Sequence, residues 1–160
     1  MILMANQMVE YIVRGIALEK ESQMPLALLK EKEGTTVLPI WIGPFEASSI
    51  IVEVEGVQPP RLLTHDLLAL IFQKHKFRLL RLEIYGHTDD TYLSRLRYRK
   101  GLRNFEVDVR PSDGLALALR LNAPIFCDAE LISSQGSEGI LEENLEMLSS
   151  EILFLEPRCP

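Results

Sequence analysis

The residues best suited to chemistry lie in one short run, Asp108-Val109-Arg110-Pro111-Ser112-Asp113-Gly114. Alternation along a strand predicts that Asp108 and Arg110 share one face, and Pro111 suits the first turn of a following helix. The polar residues after the proline then lie where helix N–H groups point outward, so the junction can bind an anion. Two carboxylates this close can also hold a hard divalent cation. In a purely structural interpretation, Asp113 stabilises the helix start and Arg110 pairs with a neighbouring acid.

Two other segments carry candidate site residues. Glu46 follows Pro44 in the run I-G-P-F-E-A, at the start of another predicted helix. His65 and Asp66 follow Thr64, a good N-cap residue, at the start of a third helix. His65 can act as a general base near neutral pH. The alternative is that Thr64 and Asp66 serve the helix end and that His65 is an exposed residue of the first turn.

The run that contains Asp113 belongs to the second copy of an internal repeat. Residues 25–57 match residues 92–124 without a gap, and Glu46 falls on Asp113. Each copy is typical of a strand, a glycine turn, a second strand, a proline and a helix. The repeat indicates an internal β-β-α duplication, and chance similarity between two such units is the alternative. The many predicted strands and few helices favour a compact, roll-like α+β fold of largely antiparallel or mixed strands with packed helices.

Further elements are predicted between and after the two copies. A strand is expected over 8–19, a helix begins at Thr64, and paired strands follow at 77–86 and 91–99. The apolar stripe of that helix consists of Leu67, Leu68, Ile71 and Phe72.

We expect a single domain across all 160 residues. Its core covers about 9–130, and 131–160 forms an acidic C-terminal helical extension after a loop at 133–137. The apolar run 152–155 either closes the sheet or docks on a partner subunit. The residues at helical spacing in the extension are Leu141, Leu145 and Leu148.

The net charge of −6 conceals a basic centre. Residues 74–103 hold nine basic and three acidic side chains, whereas residues 104–160 hold eleven acids and three arginines. Such a centre can be a footprint for phosphates, and its alternative is a solvated strand face that pairs with acids elsewhere. Because the whole chain is acidic, any nucleic-acid binding must be local.

Composition places the chain among soluble globular proteins, with 47% hydrophobic and 25% charged residues. No apolar run approaches the ~20 residues that span a membrane, and the first residues lack the pattern of a signal peptide. Cys127 and Cys159 form neither a metal spacing nor a disulfide framework. We therefore expect a cytoplasmic protein without membrane contact. Phosphate-loop, dinucleotide, serine-hydrolase and zinc-protease motifs are absent, so spacing alone names no reaction.

Three stretches resemble the bifunctional nuclease domain family, in the family's order. They read L-P-I-W-I-G-P-F-E-A, R-L-L-T-H-D-L and V-D-V-R-P-S-D-G-L-A-L-A-L-R-L-N-A-P-I, and with their surroundings they cover about 9–130. Gly114 stands where alanine is expected, and Leu62 stands where proline often follows the arginine. The residues marked by the resemblance are Glu46, His65, Asp66, Asp108, Arg110, Ser112 and Asp113.

The resemblance implies a compact α+β domain, often dimeric, with nuclease activity on RNA and DNA attributed to some members. We therefore expect a homodimeric hydrolase of phosphodiester bonds, assisted by a divalent metal. Glu46, Asp108 and Asp113 would hold Mg²⁺ or Mn²⁺ through oxygen ligands.

The same hypothesis gives roles to the other residues. Arg110 would bind the phosphate and stabilise its developing charge, as one member of a catalytic set with Asp113. His65, oriented by Asp66, would activate water or protonate the leaving group. The rival hypothesis is a non-enzymatic module that binds an anion, a nucleic acid or a protein. Predicted substrate contacts are Arg95, Arg97, Arg99 and Ser112.

Overall fold

One mixed β-sheet with helices packed on it organises the chain, which the computed structural model describes over residues 7–89, 91–134 and 145–148. The predicted α+β class is confirmed. None of the helices within these ranges is long and apolar enough to cross a membrane. The strands are β1 Met8–Glu19, β2 Pro25–Glu31, β3 Val37–Trp41, β4 Arg78–Thr88, β5 Thr91–Lys100, β6 Arg103–Val109, β7 Ile125–Asp128 and β8 Leu145–Leu148. The helices are α1 Pro44–Val54, α2 Thr64–Lys74, α3 Pro111–Arg120 and α4 Ala129–Ser134.

The sheet consists of two antiparallel three-stranded halves joined by β7. The strand order is β3-β2-β1-β7-β4-β5-β6, and β8 pairs with β1 beside this path. Strand β7 runs antiparallel to β1 and parallel to β4. Along one edge of β1, Met8–Tyr11 pair with β7 and Ile16–Glu19 pair with β8. The long strand β1 therefore connects the last described strand to the rest of the sheet.

Each half of the sheet contains one copy of the sequence repeat. The first copy forms β2, β3 and α1, and the second forms β5, β6 and α3. Both hairpins lie at outer edges of the sheet. On each side of β7, one strand outside the repeat comes first and the hairpin of a repeat copy follows it. The predicted secondary structure of both copies is confirmed, whereas their origin by duplication stays a prediction.

Helix α3 packs closely on the sheet and fixes the second helix start of the repeat. Leu115 and Leu117 of α3 are fully buried, as is Leu82 of β4. Gly114 permits this approach, because a Cβ there would lie 2.5 Å from Leu82 Cδ1 and 3.3 Å from Val109 Cγ2. The residues around Asp113 are therefore held by the core beneath them.

Helix α2 does not bury the stripe that its sequence predicts. Leu67, Leu68 and Ile71 are all exposed, whereas Ala69 is buried and Phe72 packs partly against the core. The first three residues do not pack against the core, because α2 contacts α3 and β4 through the face that carries Ala69 and Phe72. An apolar helix face therefore remains open on the described surface.

The C-terminal prediction also needs correction. Leu145 and Leu148 lie in β8 rather than in a helix, because β1 offers an unpaired backbone edge beyond its contact with β7. Ser133 and Ser134 end α4, although a loop was predicted there. Leu141 and the apolar run 152–155 lie outside the described residues, and the division into core and extension stays a prediction.

Replacing Leu117 by alanine tests the packing of α3. We expect a loss of about 2–4 kcal/mol in the free energy of unfolding, because a buried side chain is removed and a cavity remains. Urea denaturation measures the loss. Leu102→Ala is the control, since Leu102 is fully exposed and should change the value by less than about 0.5 kcal/mol. Equal effects of the two substitutions would contradict the packing described for α3.

Candidate functional site

The starts of α1, α2 and α3 meet, and each carries an acid at its third position. Pro44 and Pro111 occupy the first positions of α1 and α3, where a missing N–H costs nothing. A carboxylate at the third position stabilises the unpaired N–H groups and the positive end of the helix dipole. The fold alone therefore accounts for an acid at each start, and contacts beyond the helix distinguish the three. The acids are Glu46, Asp66 and Asp113.

Asp113 is the centre of the site. Its Oδ1 lies 3.0 Å from His65 Nε2, and its Oδ2 accepts a 2.7 Å hydrogen bond from Arg110 Nε. Burial opposes ionisation of this carboxyl, but the hydrogen bonds from Arg110 and His65 outweigh it and hold the pKa of Asp113 below its usual value. Because an ionised carboxylate only accepts hydrogen bonds, the proton of His65 lies on Nε2, and this N–H donates a hydrogen bond to Asp113 Oδ1.

Arg110 connects the two copies of the repeat. Its Nη1 lies 2.9 Å from Glu46 Oε1, so the guanidinium bridges Glu46 and Asp113, which occupy equivalent repeat positions. The hydrogen bond with Asp113, its charge and the charge of Glu46 raise the pKa of Arg110. The Arg110 side chain is 66% exposed. It is therefore a permanent cation that faces solvent between two carboxylates.

Ser49 supplies a contact that no sequence motif singled out. Its hydroxyl oxygen lies 2.7 Å from His65 Nδ1. Both ring nitrogens of His65 are therefore engaged, and its side chain is only 14% exposed. Ser49 lies three residues after Glu46 on α1, a spacing that places both on one side of a helix. That spacing is the one sequence signal that could have pointed to Ser49.

Asp66 does not orient His65 as predicted. Its carboxylate accepts a hydrogen bond of 2.8 Å from the Leu63 backbone N–H and one of 2.6 Å from Arg120 Nε. Burial opposes ionisation, but the bonds from Arg120 and Leu63 outweigh it and lower the pKa of Asp66. The orientation prediction was wrong because this acid reaches back over its own helix start. A catalytic role of Asp66 stays a prediction.

Arg120, the last residue of α3, ties the three helices together. Its side chain is 3% exposed. Besides its pair with Asp66, it donates to the backbone carbonyls of Ala116 at 2.9 Å and Ser49 at 3.1 Å. One guanidinium on α3 therefore binds α2 through a carboxylate and α1 through a carbonyl.

Asp108 lies on the other face of the sheet from this cluster. It pairs in register with Arg95, and its Oδ1 accepts a 3.2 Å hydrogen bond from the Tyr85 hydroxyl. The next residue, Val109, faces Gly114 of α3, and side chains alternate along a strand. The structure therefore does not bring Asp108 together with the other two predicted metal ligands.

Only two of the three predicted metal-ligand carboxylates, those of Glu46 and Asp113, lie close together in the described residues. Within 7–89, 91–134 and 145–148, no group of three or more His, Cys, Asp or Glu side chains is arranged to hold a metal. Glu46 and Asp113 have the oxygen ligands that Mg²⁺ prefers, but the Arg110 guanidinium lies between them. These carboxylates fit a hard cation only when the guanidinium has turned elsewhere.

The sequence profile of the bifunctional nuclease domain matches residues 27–139, a range that contains the whole cluster. The chain belongs to the bifunctional nuclease domain family. It is 38% identical over 127 residues to the Uncharacterized protein Rv1829 of Mycobacterium tuberculosis (strain ATCC 25618 / H37Rv), a match that covers 79% of this chain and 76% of that protein. The Uncharacterized protein MT1877 of Mycobacterium tuberculosis (strain CDC 1551 / Oshkosh) gives the same identity and coverage. Family membership indicates a function related to nucleic acid.

A buried acid neutralises much of the basic strand face in this bifunctional nuclease domain. Glu83 lies 2.5 Å from Arg81 Nη2, 2.6 Å from Arg95 Nε and 2.8 Å from Arg97 Nε. Glu106 on β6 adds contacts of 3.1 Å to Arg97 and 3.7 Å to Arg95. The charges of Arg95 and Arg97 are therefore paired within the domain, as one of the two sequence interpretations expected.

The other two predicted substrate contacts differ from these arginines and from each other. Arg99 lies farther along β5 and forms no ion pair with any residue that the structure describes. Ser112 is buried at the start of α3, so its hydroxyl is not offered to solvent. Of the predicted substrate contacts, Arg99 is therefore the one whose charge is most available to a phosphate group.

Replacing Glu83 by glutamine tests the arginine cluster. Burial opposes ionisation of Glu83, but hydrogen bonds from Arg95 and Arg97 and the charge of Arg81 outweigh it and lower its pKa. We expect a loss of about 3 kcal/mol in the free energy of unfolding at pH 7, because three guanidinium groups lose their buried counter-charge.

The pH dependence and a matched control make this test specific. A group whose pKa is lowered by folding stabilises the protein above its unfolded pKa and loses that contribution as pH falls through the folded pKa. The difference between wild type and Glu83→Gln should therefore shrink in acid. Glu106→Gln removes an exposed carboxylate and should cost less than about 1 kcal/mol. A Glu83→Gln protein as stable as wild type at pH 7 would contradict this account of the cluster.

Proposed function

We propose that the chain is a nuclease that hydrolyses phosphodiester bonds of RNA or DNA at Arg110 and Asp113. The observation that carries the proposal is the exposed guanidinium of Arg110, held between two carboxylates where three helices start. A guanidinium binds phosphate oxygens in pairs, and helix starts favour anions. Membership of the bifunctional nuclease domain family supports nucleic acid as the ligand.

The proposed chemistry divides between the exposed and the buried parts of the site. Arg110 receives the scissile phosphate and stabilises the negative charge that develops on its oxygens. Asp113 is more exposed than His65, so it is the group that can accept a proton from an attacking water. His65 donates a hydrogen bond from Nε2 to Oδ1 and so holds the carboxylate in place while Asp113 accepts that proton.

A divalent ion, Mg²⁺ or Mn²⁺, is part of the proposal. The oxygens of Glu46 and Asp113 would hold it once Arg110 has turned to a phosphate. When bound, the ion supplies additional positive charge to the phosphate oxygens.

Contacts to the rest of the strand are proposed from exposure and charge. Arg99 offers a cation for the phosphate backbone. Phe45 precedes Glu46 and is 90% exposed, so its ring is free to stack on an unpaired base. Arg95 and Arg97 contribute only if the substrate displaces their present acidic partners.

A non-enzymatic anion-binding module is the second candidate function. This function is favoured because the groups that could move a proton are already hydrogen-bonded or ion-paired within the protein. Both nitrogens of His65 and the carboxylates of Glu46 and Asp113 have such partners. In that case Arg110 binds a phosphate and no bond is cleaved.

A cytoplasmic location is also proposed. Cys127 is a free, buried thiol, and burial raises its pKa to about 12. Such a thiol is inert, and it is the lack of a disulfide spacing between Cys127 and Cys159 that suits a reducing compartment.

Cleavage and binding of labelled single-stranded RNA and DNA, each with EDTA, Mg²⁺ or Mn²⁺, test the proposed function. Asp113→Asn should lower kcat by at least about 100-fold and change Kd little, because it removes the proton acceptor and not the phosphate ligand. Arg110→Lys should raise Kd by roughly tenfold, because an ammonium cannot bind two oxygens in a fixed geometry.

Ser48→Ala is the matched control for these variants. Ser48 lies on α1 beside the site, and its hydroxyl donates to the Pro44 carbonyl of its own helix. It should cleave like wild type. Equal cleavage by all variants would reveal a contaminant, whereas binding without cleavage by wild type would favour the non-enzymatic module.

We also propose a homodimer that forms through the open face of α2. Leu63, Leu67 and Ile71 recur at a spacing of four residues, and all three are exposed. A contiguous aliphatic surface of this kind marks an interaction site. Two copies related by a twofold axis can bury it against itself, because each presents the same stripe.

Light scattering after gel filtration tests the dimer. Leu67→Glu should halve the measured mass, because it places a charge in the apolar stripe. Leu102→Glu adds the same charge at an exposed turn and should leave the mass unchanged. A wild-type mass equal to the 18.2 kDa of one chain would contradict the proposal.

A further inference from the structure

The hydrogen bond between Ser49 and His65 has no part in the chemistry proposed so far. Ser49 is buried on α1, yet its hydroxyl lies 2.7 Å from Nδ1 of a ring that belongs to α2. The other nitrogen of that ring lies 3.0 Å from Asp113 on α3. One imidazole therefore joins three helices, and neither the sequence motifs nor the family match assigns a role to Ser49.

The order serine, histidine, aspartate also occurs in serine hydrolases, but Ser49 is not placed to act as a nucleophile. It lies in the middle of α1, where neighbouring N–H groups are engaged in helix hydrogen bonds and cannot form an oxyanion hole. Its hydroxyl is buried rather than directed into an open cleft. The exposed groups of the site, Arg110 and Asp113, lie beyond the imidazole.

The hydrogen bonds instead define the orientation of the ring. The ionised carboxylate of Asp113 only accepts, so Nε2 carries the proton of the neutral imidazole and Nδ1 is left as an acceptor. The Ser49 hydroxyl then donates to Nδ1. A half-turn of the ring about its Cβ–Cγ bond would place carbon atoms where Nδ1 and Nε2 now lie, and both hydrogen bonds would be lost.

We propose that Ser49 is a positioning residue for His65. Its hydroxyl selects the ring orientation that directs Nε2–H at Asp113 and so keeps the Asp113 carboxylate in place beside Arg110. The consequence for catalysis rests on the proposed function, whereas the consequence for the ring does not. The tests below separate the two.

Nitrogen NMR of the full chain, with labelled histidine and at a pH where imidazole is neutral, tests the position of the ring. The chain has three histidines, so the His65 signals are assigned by their disappearance in His65→Gln. In Ser49→Ala the Nδ1 signal should move toward that of an imidazole nitrogen without a hydrogen bond. Ser49→Thr keeps a hydroxyl and should keep the wild-type signal. An Nδ1 signal that is identical in wild type and Ser49→Ala would overturn the proposal.

Steady-state cleavage of single-stranded RNA tests the consequence for catalysis. Ser49→Ala should lower kcat about tenfold with KM unchanged, and Ser49→Thr should restore most of the loss. The effect of Ser49→Ala should vanish in the His65→Gln background, because Ser49 acts through that ring. If Ser49→Ala still lowered kcat about tenfold in the His65→Gln background, Ser49 would serve only the fold, and the proposal would be overturned.

A failure of the proposed function gives a different pattern of results. If wild type cleaves no nucleic acid while the Nδ1 signal still moves in Ser49→Ala, the nuclease proposal fails and the positioning of His65 by Ser49 is supported. Thermal unfolding of each variant accompanies both tests, and Ser49→Thr supplies the comparison if Ser49→Ala does not fold.

Discussion

The arrangement of the site depends on the ion pair and the hydrogen bonds that the buried Arg120 guanidinium forms. It pairs with Asp66 of α2 and donates to the Ser49 carbonyl of α1 from its own position on α3. A buried charge that loses its partner is strongly destabilising, so α1, α2 and α3 cannot move apart independently. This constraint keeps His65 within reach of both Ser49 and Asp113, and through Asp113 it determines where the exposed Arg110 lies.

Local sequence signals predicted most of the fold, and they failed where packing between distant elements decides. Pro44 and Pro111 marked helix starts, and the glycine turns marked both hairpins, because these signals act within a few residues. The apolar stripe of α2 was real, but its spacing cannot say whether the protein or a partner covers it. The strand Leu145–Leu148 was missed for the same reason, since its pairing partner in β1 lies far away in the sequence.

The candidate site was predicted in part, and the misses have physical causes. The four predicted residues that the structure brings together are Glu46, His65, Arg110 and Asp113. Asp108 was grouped with them because alternation along a strand would place it on the same face as Arg110. This alternation no longer holds where β6 ends and the chain enters α3 at Pro111. Ser49 left only its helical spacing from Glu46 and Arg120 left no signal, because their partners lie 16 and 54 residues away and nothing local marks such contacts.

The position of β7 between the two halves of the sheet bears on how the chain folds during synthesis. Each half can form from hairpins and short-range contacts as it leaves the ribosome. In the described part of the chain, however, β7 joins β1 to β4, and Ile125–Asp128 emerge after both halves are complete. Until then β1 and β4 each present an open backbone edge, the feature through which nascent chains pair with one another. A nascent chain that has not yet reached Ile125 therefore contains the strands of both half-sheets but not the strand that joins them.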